Sequence, residues 1–133
     1  MQDFINALTT EPIVDVIVSG FLDAKQPLIF HPMYERLYFL FNSMKFELCI
    51  DEFGTINANS LTEINTWFDL DEDDSFSLMS CYSQLFKTEQ EILITSVTHQ
   101  SAPFDCLTLS YRDGFIDRQL SLDPCNFFGF TFL

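Results

Sequence analysis

The chain is 133 residues long, 47% hydrophobic and 16% aromatic with 16 Phe, and carries a formal charge of −14. That length suits a single domain, 1–133, with a real core, and so apolar a composition excludes the disorder that high charge alone would suggest. Six Lys and Arg against 20 Asp and Glu exclude nucleic acid bound through a basic groove and disfavour an anionic membrane surface; a field of this sign steers basic proteins instead.

Met1-Gln2-Asp3-Phe4 lacks the basic stretch that opens a secretory signal. The most apolar early run, Ile13 to Leu22, is interrupted by Asp15 and is too short to span a bilayer. A cytoplasmic protein is the expectation. Phe4, Ile5 and Leu8 are spaced as on a helix over residues 2–9, closed by Pro12. Ile13 to Leu22 supports a strand through 14/16/18 and a helix through 13/17/21; a helix docked on a sheet is expected. Gly20 and Asp23-Ala24-Lys25-Gln26-Pro27 form a connection, and His31 before Pro32 falls in a loop.

From there the period becomes two. Leu37, Phe39 and Phe41 alternate with Tyr38 and Leu40, which predicts a central strand buried on both faces. A hairpin at Asn42-Ser43-Met44 leads to Lys45–Asp51, with Phe46, Leu48 and Ile50 inward. Thr55–Asn59 reads as a short edge strand. Leu61–Leu70 also alternates, with Glu63, Asn65, Trp67 and Asp69 on one side, so Trp67 is expected to share a face with the acids that follow. Ser75 is placed to cap a helix of about ten residues through Phe76, Met79 and Tyr82, with a strand as the competing reading for 75–86.

The last third is strand-like: Glu91–Thr98, a polar connection Gln100-Ser101-Ala102-Pro103, and Cys106–Tyr111. Asp113-Gly114 is a hairpin turn, and the return strand runs through Ile116, Arg118, Leu120 and Leu122 to Asp123-Pro124. Phe128, Phe130 and Phe132 close the chain as an alternating strand. The sum is an α+β, β-rich fold: a mainly antiparallel sheet of seven or eight short strands with one or two helices.

The acids are unevenly distributed. Between Lys45 and Lys87 lie nine carboxylates and no base, −9 of the −14, and five of the nine are Asp69, Asp71, Glu72, Asp73 and Asp74. Charges crowded in this way oppose folding, which points to a basic partner; a solvated turn that only maintains solubility is the plain alternative. Trp67 is the residue type favoured as an apolar anchor at interfaces, and Asp51 and Glu52 would form a flanking rim. Asp69-x-Asp71-x-Asp73 opens like a calcium loop but has Asp74 where the sharp turn needs Gly and Ser80 where a bidentate Glu belongs. His31 and His99 are isolated, and no nucleophile or phosphate-loop motif accompanies them. Cys49, Cys81, Cys106 and Cys125 lack zinc spacing and are expected as reduced thiols. The Phe residues read as core packing, ahead of a ligand cavity. No catalytic residue, metal or cofactor is expected.

In size, in charge, in the run from Trp67-Phe68 to Asp74, and in the closing pattern Asp113-Gly114 … Leu122-Asp123-Pro124-Cys125-Asn126-Phe127-Phe128-Gly129, residues 35–133 resemble the small acidic immunity proteins that bacteria encode beside secreted antibacterial toxins. The resemblance implies a non-enzymatic protein that binds a cognate toxin in the cytoplasm, commonly over its active site. A nuclease or another enzyme with a basic cleft would be the natural target. The competing readings are a nucleic-acid mimic that inhibits DNA-binding enzymes and a small hydrolase or ligand-binding barrel.

Overall fold

Alternating apolar residues dominate the chain, and strands dominate the fold. The computed structural model describes residues 1–23, 28–101, 104–124 and 129–132; the expected connections at 24–27 and 102–103, Cys125, and Phe128 of the closing strand lie outside the described residues. The order is α1 (Gln2–Thr10), β1 (Asp15–Asp23), β2 (Ile29–Leu40), β3 (Lys45–Ile50), β4 (Ile56–Leu61), β5 (Ser75–Ser80), α2 (Tyr82–Phe86), β6 (Leu93–Gln100), β7 (Cys106–Asp113), β8 (Ile116–Asp123) and β9 (Thr131–Phe132). These strands form two antiparallel sheets, ordered β4-β3-β2-β1-β5 and β6-β7-β8-β9. A parallel bridge between Tyr34 and Gly129, with Phe130 N–H donating to Tyr34 O at 2.8 Å, ties the second sheet to the first.

Period-two burial builds one core from both sheets. Val16 and Val18, Leu37 and Phe39, Phe46 and Leu48, Leu107 and Leu109, and Leu120 and Leu122 all point into it, and α1 adds Phe4 and Leu8. A fully buried side chain of this kind contributes about 1.5–3 kcal/mol. Phe4 meets the rings of Phe39 and Phe46 at 5.1 and 5.4 Å, which seats the helix on the sheet.

Four expectations give way. Ile13–Leu22 is not a helix: β1 lies between β2 and β5, and its β-branched run supplies both ladders. The helix expected from Ser75 shrinks to α2, because Ser75–Ser80 completes the ladder along the free side of β1. The strand expected at Leu61–Leu70 stops at Leu61, and residues 62–74 instead cross from the β4 edge of the sheet to the β5 edge. His31 and Pro32 also lie in β2, not in a loop. Pro32 is tolerated there because β3 pairs with β2 only from Arg36 onward.

Gly20 follows the register shift in β1, and a Cβ on it would lie 2.1 Å from His31 O. Gly20→Ala should therefore destabilise the fold by roughly 1–3 kcal/mol, as overpacking does, read as a lower urea midpoint at unchanged slope.

Candidate functional site

Antiparallel pairing decides which connections share an end of the molecule. The end of β1 (Asp23), the β3–β4 hairpin (51–55) and the start of β5 (Ser75) all lie at one end of the larger sheet. The β6–β7 connection joins them, since Asp105 Oδ2 accepts the Ile56 N–H at 2.8 Å. This end therefore gathers Asp23, Asp51, Glu52, Asp69, Asp71, Glu72, Asp73, Asp74, Asp105 and Asp123. Among the described residues Arg36, opposite Cys49 of β3, is the base that approaches it. Lys45, Lys87 and Arg112 lie toward the opposite end, and Arg118 pairs with Tyr111 near it. Their charges are partly offset there, with Arg112 3.1 Å from Asp117 and Arg118 3.9 Å from Asp113.

The acidic run itself is the last part of the crossing strap. Asp69, Asp71, Glu72 and Asp73 are exposed and Asp74 is half-buried. A turn closes the run, with Asp74 N–H donating to Asp71 O at 3.0 Å. No ion pair among the described residues reaches any of the five. No group of three or more His, Cys, Asp or Glu among the described residues is placed to hold a metal ion.

Trp67 is not displayed beside these acids as the alternating pattern suggested. It is half-buried where the strap crosses the sheet. Its Nε1–H donates to Ser19 Oγ at 2.8 Å, and the Arg36 guanidinium lies 4.4 Å from the ring centroid while also bonding Glu47 at 3.0 Å. Phe68 follows and packs among Phe21 and Phe76. Ser19, at the bulge of β1, is fully buried, so the indole satisfies a hydroxyl that the sheet leaves over. The neighbouring Tyr38 is buried, which pushes its hydroxyl up to about 12, with Ser19 opposing the shift and Glu47 adding to it. Trp67 and Phe68 thus fasten the strap, and the acids hang beyond the fastening.

Asp51 and Glu52 occupy the β3–β4 hairpin. Glu52 is exposed, but Asp51 is structural: its carboxylate accepts the N–H groups of Phe53 and Thr55, each at 2.9 Å, and the Asn57 amide at 3.1 Å. The Thr55 N–H is the largest influence and, with Phe53 and Asn57, holds the carboxyl below its usual range against desolvation, which opposes the shift. Residue-type reasoning missed Phe53 and Phe104, which are 84% and 67% exposed at this same end. The only signal for Phe53 is its place beside Gly54 in a turn.

Each histidine stands beside a carboxylate, His31 Nε2 at 3.7 Å from Asp23 Oδ2 and His99 against Asp105. His99 Nε2 contacts Asp105 Oδ1 at 2.5 Å, and that carboxylate is also engaged by β4, so the pair fastens one sheet to the other. His31 stacks on Phe21 at 4.8 Å. The clefts of about 570 and 520 Å³, lined by residues such as Tyr82 and Glu91 and by Arg36 and Trp67, hold neither. Cys81 is buried, which pushes its thiol up to about 12, with Asp15 adding to the shift. No helix among the described residues is long and apolar enough to cross a membrane. Searches of protein-family models, curated proteins and solved structures return no match to this chain.

Two outcomes follow from this geometry. Ser19→Ala removes the acceptor of the indole N–H and should cost about 1–3 kcal/mol, with the emission of the only tryptophan shifting to the red while far-UV circular dichroism is retained. The lowered pKa of Asp51 makes its contribution present above the usual carboxylate pKa of about 4 and lost as pH falls through its folded value. Amide exchange at Phe53 and Thr55 should therefore accelerate on acidification before the core amides respond, and Asp51→Asn should flatten that dependence.

Proposed function

We propose that this chain is a non-enzymatic binding protein whose acidic end engages a basic protein partner, in the manner of an immunity protein that neutralises a bacterial toxin. The observation that carries the proposal is the segregation of charge. Eight carboxylates, from Asp51 to Asp105, lie at one end, while Lys45, Lys87 and Arg112 lie toward the other. Folding works against such a concentration, and a positive surface removes the cost when it docks. A partner with an exposed basic cleft, such as a nuclease, fits this chemistry.

The acids sit on separate connections at one end, which suits a compact basic face better than a groove shaped for a duplex. That favours the toxin-inhibitor reading over the nucleic-acid mimic. Asp71, Glu72 and Asp73 carry the largest share, because they are exposed, adjacent and in no ion pair among the described residues.

Reversing Asp71, Glu72 and Asp73 to Lys should leave the fold intact, since none of the three side chains is buried. It should slow association with a cognate basic toxin domain by about tenfold or more and flatten its dependence on ionic strength. Stopped-flow association measured across a salt series checks this; an unchanged rate and salt slope would sink the assignment of this end.

A further inference from the structure

We infer that Phe53 and Phe104 are the apolar anchors of an interaction surface at the acidic end, and that they take the role the sequence suggests for Trp67. The occupant is a protein segment that presents Lys or Arg around an apolar side chain or recess. This inference rests on the proposed reading of the acidic end.

Both rings stand in solvent beside a clamped aspartate. Phe53 follows Asp51-Glu52 at the hairpin tip, and the Asp51 carboxylate holds the tip through the Phe53 and Thr55 N–H groups. Phe104 precedes Asp105, whose carboxylate is held by the Ile56 N–H and by His99. The two clamps close on adjacent residues, Thr55 and Ile56, so the two connections form one platform. A turn tip usually carries small polar residues; here two large aromatic rings stand outward, 84% and 67% exposed. A backbone held in place before contact loses little freedom on binding, which favours affinity at the side chains it presents.

The charge around the rings selects the occupant. Asp51 and Glu52 precede Phe53 directly, and the Asp71–Asp74 turn lies at the same end across the sheet. Four strand steps separate β4 from β5, about 20 Å at roughly 4.8 Å per step. A standard interface of about 800 Å² per partner covers that width. Leu28 and Ile29, 63% and 50% exposed at the start of β2, extend the apolar part between the two. Trp67 is unsuited to the role, since its N–H and one ring face are already engaged by Ser19 and Arg36.

The test compares octalysine with a peptide of equal lysine content carrying interspersed leucines, titrated into the full chain by calorimetry at low salt. The wild type should bind the leucine-containing peptide at least about tenfold tighter than octalysine. The double variant Phe53→Ser, Phe104→Ser should bring the two affinities together while keeping the octalysine affinity and the Trp67 emission of the wild type. Phe115→Ser, at the exposed turn of the opposite end, should leave the preference intact, and Phe53→Leu with Phe104→Leu should restore most of it. Equal wild-type affinities, or a preference that survives the double serine variant, overturn the anchors alone. Failure of the wild type to bind either peptide overturns the reading of the acidic end, and the anchors with it.

Discussion

Getting the chain from β4 to β5 is the constraint on which the rest of this structure depends. These strands form opposite edges of one sheet, so residues 62–74 must cross its outer face without a ladder of their own. The crossing holds because Trp67 gives its indole N–H to a serine that a bulge has left over, and because Arg36 covers the ring while Glu47 neutralises it. Each group answers another's need. The indole requires an acceptor, the buried hydroxyl a donor, and the guanidinium a counter-charge. Phe68, between Phe21 and Phe76, adds the apolar part of the seal.

That fastening also shapes the charge. The strap leaves its seal at Phe68 and enters β5 at Ser75, so five carboxylates fill the short stretch between, four of them exposed. Antiparallel pairing brings the other acidic turns to the same end, while most of the described bases go to the opposite end, where Asp113 and Asp117 pair with two of them. The core supplies the free energy that tolerates this arrangement. Its alternating Val, Leu and Phe rows run through both sheets and seat α1 between Phe39 and Phe46.

Much of this was legible along the chain wherever one periodicity stood alone. Lys45–Ile50 alternates cleanly and is a strand, and Asp113-Gly114 turns a hairpin with Gly114 at a φ of 62°. Where two periodicities overlapped, as in Ile13–Leu22, the local pattern could not decide. The ladders on both sides of β1 did. Residues 62–70 alternate without being a strand, because they cross the face of the sheet and pair with none of its edges. The same gap explains the site: the density of acids is a local property and was visible, but the burial of Trp67 and the exposure of Phe53 and Phe104 depend on what lies across the fold.

Segregated ends give the molecule a permanent electric dipole as well as a net charge. In the field of a cationic body, net charge produces only a pull, whereas a dipole produces a torque. The torque turns the negative pole forward before any surfaces touch. Much of the slowness of protein association comes from rotational search for the one productive orientation. A fold that crowds its exposed carboxylates onto one end shortens that search through the shape of its sheet alone.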